Sequence, residues 1–269
     1  MVPSNSTSSI AACNLAGRVA IVTGGANGIG RATAILFARH GAKVFVGDLH
    51  LRVENAALFA ELGIAERACD VRAESDVAAL VAAAVAAVGR LDILVNNAGV
   101  GLVKPITVVS EAEWNACLDT NLKGAFLFSK HAIPAMRESG GGAITNVASN
   151  AGLLPRAHDP VYSISKGALV SLTKSLALCH APDRIRVNAV CPGPVDETGM
   201  MNADIAAAAD PEALRQKLIA ASPLARAHGR MIEPAEVAAA ILYLSSDAAA
   251  MVTGTAIAID GGKSLGVPP

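Results

Sequence analysis

Arg18-Val19-Ala20-Ile21-Val22-Thr23-Gly24-Gly25-Ala26-Asn27-Gly28-Ile29-Gly30 is a short, largely β-branched apolar run that breaks into glycine. A strand buried on both faces of a parallel sheet reads this way, with no alternation of polar and apolar positions. From Ile29 to His40 the period becomes helical, and Gly41 ends it. Strand, glycine turn and helix in that order form the setting of a nucleotide-binding turn. The glycines permit positive φ and close backbone approach, while the helix start offers free N–H groups and a positive dipole to a pyrophosphate.

The same alternation runs on through the chain. Lys43 to Asp48 is predicted as a second strand, Glu54 to Leu62 as a helix closed by Gly63, and Ala65 to Cys69 as a third strand. Glu74 to Val88 reads as a helix stopped by Gly89, and Leu91 to Val95 as the fourth strand. Glu111 to Glu138 follows as one long helical region, then a strand at Ala143 to Ala148 and a helix at Val161 to Cys179. A strand at Ile185 to Val190, a helix at Pro234 to Ser245 and a last strand at Ala256 to Ile259 complete the pattern. Such units take right-handed crossovers and cover the sheet on both sides. The expected class is therefore α/β: a single-domain, Rossmann-like, doubly wound parallel sheet of seven strands over residues 17–269, after a flexible polar tail at 1–16. Met200 to Arg230 departs from the rhythm as an Ala-rich helical insertion. Excursions at the carboxyl end of a parallel sheet are usually lids or substrate walls, so a lid is expected over about 198–230.

Composition narrows the function. A formal net charge of −1 with 17% charged residues leaves no broad basic field for nucleic acid or an anionic membrane. The five cysteines, Cys13, Cys69, Cys117, Cys179 and Cys191, are scattered and odd in number, and the six histidines show no metal-ligand spacing. They read as buried free thiols in a reducing, cytoplasmic compartment, and no metal is expected. Residues 1–16 lack the basic start and apolar run of a signal peptide. The longest apolar run, Val77 to Val88, is far short of the roughly 20 residues that cross a bilayer and reads as a buried helix.

Two further places carry chemistry. Asp48 ends the second strand 18 residues after Gly30, close to the spacing of a carboxylate that bonds a ribose diol. A carboxylate there repels a 2′-phosphate, and neither Asn27 nor Leu49 supplies a compensating cation, so NAD is expected over NADP. Arg52 is the nearby cation that opposes this reading. In Tyr162-Ser163-Ile164-Ser165-Lys166 a phenol and an ammonium stand four residues apart, on one helix face. A phenol titrates near pH 10 and is a poor base at neutrality unless its anion is stabilised, as a nearby Lys⁺ would do.

With these residues in view the chain resembles the short-chain dehydrogenase/reductase family from Gly17 to about Gly266. The turn from Thr23 to Gly30 resembles the family's Thr-Gly-x-x-x-Gly-x-Gly, with Gly24, Asn27, Gly28, Ile29 and Gly30 at the cofactor. Cys69-Asp70-Val71 resembles the adenine-contacting acid, and Asn96-Asn97-Ala98-Gly99 the signature after the fourth strand. Asn121 resembles the catalytic Asn, and Ser149, thirteen residues before Tyr162, the catalytic Ser. Pro192-Gly193 and the late Thr253-Gly254 and Asp260-Gly261-Gly262 complete a set whose order makes it specific.

The resemblance implies hydride transfer to or from NAD. Tyr162 would be general acid/base, and Lys166 would lower its pKa and hold the ribose. Ser149 would bond the substrate oxygen, and Asn121 would hold a water leading from Lys166 to solvent. It also implies a homotetramer paired through the helices bearing Asn121 and Tyr162 and through the last strand. Leu169, Val170, Leu172, Leu176 and Leu178, spread around the helix after Tyr162, point to a partner as well. One departure stands out. The family's Thr comes four residues after the Gly of Pro-Gly, whereas Thr198 comes five after Gly193, with Glu197 interposed. The backbone of Val195 is the alternative contact for the nicotinamide amide.

The substrate pocket is expected between the Asn150 to Pro160 loop and the segment after Val195. Ser149, Asn150, Arg156, His158, Tyr162 and Met200 are its candidate contacts, and Met200, Met201 and Ile205 suggest a modest substrate. Arg156 suits a substrate carboxylate, although a solvated loop arginine is the simpler reading. The expected substrate is a small secondary alcohol or ketone of the sugar, polyol or hydroxy acid class. Alternatives are a 3-oxoacyl-carrier or hydroxysteroid reductase, or a non-catalytic NAD-sensing protein on the same fold.

Overall fold

A computed structural model describes residues 13–154 and 156–266 of the chain. Strands β1 (Val19–Thr23), β2 (Lys43–Asp48), β3 (Ala65–Ala68), β4 (Ile93–Asn96), β5 (Gly142–Val147), β6 (Ile185–Pro192) and β7 (Ala256–Ile259) form one parallel sheet. Their order is β3-β2-β1-β4-β5-β6-β7. Strand order reverses between β1 and β4, and in open α/β sheets ligands bind outside the carboxyl ends at such a point.

Residue alternation in β1 divides the core. Ala20 and Val22 face one cluster with Val44, Val46, Phe37 and Ile241, while Val19 and Ile21 face another with Leu80, Phe128 and Met136. The two-residue period thus sends one strand's side chains to both layers. Helix α1 (Gly28–Arg39) covers the first face, followed in the chain by α2 (Ala56–Glu61) and then α3 (Glu74–Val88) on the other face.

The region read as one helix from Glu111 to Glu138 is broken. Ser110 and Glu113 form a reciprocal cap that starts α4 (Glu111–Leu118). Asp119–Lys123 then widens into a π-helical turn before α5 (Gly124–Glu138). Such turns are often found at functional sites, and Asn121 lies in this one. Helix α6 (Pro160–His180) carries Tyr162 and Lys166, and the Met200 to Arg230 segment becomes α7 (Gly199–Ala206), α8 (Pro211–Ala220) and α9 (Pro223–His228). The last long helix, α10 (Pro234–Ser245), packs beside α1.

Several expectations need correction. Residues 1–12 of the predicted tail lie outside the described residues, but Leu15 is not loose: its side chain is buried and its N–H donates to His40 O at 2.9 Å. Helix α3 is buried on one face only, through Val77, Leu80, Val81 and Ala84, and leaves Val88 exposed. Cys69, Cys117 and Cys191 are buried free thiols, whereas Cys179, near the end of α6, is exposed and Cys13, before β1, is half-buried. Among the described residues no helix is long and apolar enough to cross a membrane.

Candidate active site

A cleft of about 1130 Å³ opens at the carboxyl ends of β1, β2, β4, β5 and β6. The glycine turn forms its floor. A Cβ on Gly30 would collide with Gly24 O and with Asn97 Nδ2, so the start of α1 can lie this close only as glycine. Thr23 Oγ1 accepts the N–H groups of Asn97 and Ala98, both at 3.0 Å, and Asn97 Nδ2 donates to Thr23 O at 2.9 Å and to Gly24 O at 3.0 Å. The Asn97-Ala98-Gly99 stretch therefore braces the ends of β1 and β4 against each other.

Asp48 Oδ2 accepts the Ala26 N–H at 3.0 Å and Oδ1 accepts the His50 N–H at 3.1 Å, which fixes the carboxylate beside the turn with Leu49 exposed next to it. Asp70 and Val71 line the cleft as well. Arg72 makes a bidentate pair with Asp70, with a 2.7 Å contact, and this holds the Asp70 carboxyl below its ordinary range. Arg52 pairs instead with Glu54 at 3.1 Å and does not line the cleft. A glycine cradle at a helix start with a fixed carboxylate at the end of β2 fits a dinucleotide, and the cleft exceeds the room one small substrate needs.

The extra residue before Thr198 is accommodated locally. Glu197 adopts φ 53, a left-handed conformation uncommon for a residue with a Cβ, and the chain then turns back. Thr198 caps α7 by accepting the Met201 N–H at 3.2 Å, and its side chain packs on Gly28, where a Cβ would meet Cγ2 at 3.0 Å. Pro192, Gly193, Val195 and Thr198 all line the cleft.

Tyr162, Ser149 and Lys166 converge on the same cleft. Lys166 is buried, and its Nζ donates to Val147 O at 2.9 Å and lies 5.8 Å from the Tyr162 ring centroid. Burial brings the Lys166 ammonium down to about 8, with Cys117 and Cys191 pulling weakly the other way. The Tyr162 phenol moves up, not down as its spacing from Lys166 suggested. Burial is the largest cause and outweighs the lowering by the Ser149 hydroxyl and the Arg156 charge. Ser149 Oγ also accepts the Ala151 N–H at 3.1 Å, so it caps a turn while facing the cleft.

Asn121 is buried and clamps Val100, accepting its N–H at 2.8 Å and donating to its carbonyl at 2.9 Å. A second contact from Nδ2 reaches Ser165 Oγ at 3.0 Å, and Ser165 Oγ donates to Tyr162 O at 2.7 Å. Gly99 separates Asn121 Oδ1 from Lys166 Nζ; a Cβ there would lie 3.1 Å from the former and 3.3 Å from the latter.

The remaining predicted contacts divide. Arg156, His158 and Met200 line the cleft, whereas Asn150 is buried behind Arg156 and bonds its guanidinium. Arg156 also pairs with the buried Asp159 at 2.9 Å, so it is neither a solvated arginine nor an unpartnered one. Met201 lines the cleft but Ile205 does not. Sequence reading gave no role to the hydroxyls of Thr23 and Ser165, which organise the signature loops, and passed over Lys263, which lines the cleft from beyond β7. Only the hydroxyl of Thr23, closing an apolar strand before glycine, left a recognisable signal.

A sequence profile for the family described as enoyl-(acyl carrier protein) reductase matches residues 24–264. The chain is 41% identical to cis-4-hydroxycyclohexanecarboxylate dehydrogenase of Sinomonas cyclohexanicum, over 91% of this chain and 96% of that protein. It is also 41% identical to 4-formylbenzenesulfonate dehydrogenase TsaC1/TsaC2 of Comamonas testosteroni, over 94% and 100%. Among solved structures, the ligand-free aldohexose dehydrogenase of Thermoplasma acidophilum superposes with a TM-score of 0.86 at 34% identity, covering 95% of this chain and 97% of that one. Fold, motif order and these likenesses agree: the chain belongs to the short-chain dehydrogenase/reductase family, whose members are oxidoreductases that use NAD(P).

Proposed function

We propose that the chain is an NAD-dependent oxidoreductase that interconverts a small secondary alcohol and its ketone, of the sugar, polyol or hydroxy acid class. The observation that carries this reading is the convergence of Tyr162, Ser149 and Lys166 on the cleft floored by the glycine turn. The named substrates of the Sinomonas and Thermoplasma relatives, a hydroxycyclohexanecarboxylate and an aldohexose, support the class.

The turn from Gly24 to Gly30, Asp48, Leu49, Asp70, Val71, Asn97 to Gly99, Pro192, Gly193, Val195 and Thr198 would hold NAD, with Tyr162 and Lys166 at its reactive end. The chemistry that NAD supplies when bound is two-electron hydride exchange. Tyr162 Oη takes the alcohol proton during oxidation and returns it during reduction. Ser149 Oγ donates to the substrate oxygen as charge grows on it. Lys166 stabilises the phenolate, and Asn121, pinned by the π-helical turn, keeps the Val100 backbone and Ser165 in register behind the pair.

The test is a scan of NAD- and NADP-dependent oxidation across sugars, polyols, hydroxy acids and sterols, with ketone and acyl-carrier thioester reduction in parallel. Turnover of one small-alcohol class with NAD is expected. Saturating activity confined to NADPH and acyl-carrier thioesters would overturn the reading, and tight NAD binding without any turnover would favour a sensor.

A homotetramer accompanies this proposal. Leu169 and Val170 belong to the protein's own core, so they no longer argue for a partner, but Trp114, Phe126 and Ile164 on α4, α5 and α6 are exposed. Sedimentation velocity should give a species of four chains, and Phe126→Glu should shift it to smaller ones; a monomeric parent would count against the assembly. The three buried free thiols support the cytoplasmic setting.

A further inference from the structure

Lys263 begins a single helical turn, Lys263–Leu265, just after β7, and it lines the same cleft as Tyr162 and Arg156. The residue is half-buried. Among the described residues its ammonium makes no hydrogen bond and no ion pair, although removing a cation from water without a partner is unfavourable.

The charges around it do not supply that partner. Asp260 is buried, does not line the cleft, and accepts the N–H groups of Gly262 at 2.9 Å and Ser264 at 2.8 Å. Asp159 is engaged by Arg156 at 2.9 Å and by Ser163 Oγ at 3.2 Å. Burial, and after it the Arg156 charge, hold the Lys263 ammonium below its ordinary range, against the pull of Asp260 and Asp159. The covering helices contribute one residue of each sign to the lining, Asp204 from α7 and Lys217 from α8, and both are exposed. Arg156 lines the cleft together with both Tyr162 and Lys263. A cation without a counter-charge among the described residues therefore stands in the cleft that Tyr162 serves.

We propose that Lys263, with Arg156 beside it, receives an oxyanion carried by the substrate, a carboxylate or a sulfonate, a few bonds from the alcohol that Tyr162 serves. This rests on the dehydrogenase reading and narrows its substrate class to short hydroxy acids and their sulfonate counterparts. Arg156 is held in place by Asp159 and Asn150 and offers its remaining N–H groups, whereas Lys263 brings the uncompensated charge.

The experiment uses matched pairs: 3-hydroxybutyrate against 3-hydroxybutyramide, cis-4-hydroxycyclohexanecarboxylate against its amide, and 2-hydroxypropanesulfonate as the sulfonate arm. In the parent protein the anion is preferred over the neutral partner in kcat/KM. Lys263→Met should lower that preference about 10- to 100-fold, mainly through KM, and Lys263→Arg should restore most of it. Equal losses on acid and amide, or no preference in the parent, would overturn the proposal. Thermal melts of both variants show whether a loss reflects folding.

Calorimetric titration of the NAD-loaded protein with butyrate, cyclohexanecarboxylate and methanesulfonate reads anion binding without catalysis. Binding that depends on Lys263 in a protein that oxidises no alcohol would sink the dehydrogenase reading and keep the anion site. Oxidation of alcohols with no Lys263-dependent anion binding would do the reverse.

Discussion

Tyr162→Phe is expected to lower kcat about 100- to 10,000-fold, because in the proposed mechanism it removes the group that exchanges the alcohol proton. The ring stays, and with it the packing on α6 and the approach of Lys166, whose Nζ is 5.8 Å from the ring centroid. NAD affinity and thermal midpoint should therefore change little. A variant that also fails to bind NAD would mean that the phenol is structural, and one that keeps more than a tenth of parental kcat would remove Tyr162 from the chemistry.

The pH profile of the parent follows from the same two groups. In the proposed mechanism, ketone reduction needs the phenol protonated and Lys166 charged. Burial moves the phenol above its ordinary value, so it keeps its proton through the neutral range, while Lys166 is brought down to about 8. The kcat/KM for NADH, which reports the free protein, should be level below pH 8 and fall as pH rises through it. Stability moves in the opposite sense. The unfolded chain holds the lysine proton up to its ordinary value near 10.4 and the folded chain only to about 8, so this group's burial penalty is full below pH 8 and is relieved as pH rises between the two values.

Sheet and helices were legible because most strands are short apolar runs, with β1 and β6 closed by glycine and β2 and β7 by an acid, and the long helices carry an apolar stripe. Helices α3 and α10 start and stop where Gly89 and Pro234 say they should. The π-helical turn at Asp119–Lys123 was not legible, since the local pattern of Glu111 to Glu138 is helical throughout and the widening depends on tertiary contacts of Asn121. The order of motifs identified the cleft's floor, because a backbone cradle must be written in glycine. Electrostatic balance was another matter. That Arg156 is neutralised by Asp159, that Lys263 is not, and that the phenol's pKa rises are facts of burial and distance, which spacing along the chain does not contain.

Asp48 governs the second large effect, the choice between NAD and NADP. Its carboxylate is fixed by the Ala26 and His50 N–H groups, so it cannot swing away from an added 2′-phosphate. The two arginines nearest in sequence to the ends of β2 and β3 are already paired: Arg52 is committed to Glu54, and the cleft-lining Arg72 to Asp70. A fixed carboxylate both bonds the ribose hydroxyl, at about 1.5–3 kcal/mol for a charge-assisted hydrogen bond, and repels the phosphate by several kcal/mol. The expected NAD-to-NADP ratio of kcat/KM is therefore about 100 or more. Asp48→Ser should lower that ratio at least tenfold, chiefly by weakening NAD. Asp48→Ser combined with Leu49→Arg should invert it, because residue 49 is exposed beside the turn and a guanidinium there can pair with the phosphate. Near-equal use of the two cofactors by the parent protein would show instead that Arg72 or Arg52 leaves its carboxylate to bind phosphate, and Arg72→Ala and Arg52→Ala, each assayed with NADP, would tell which.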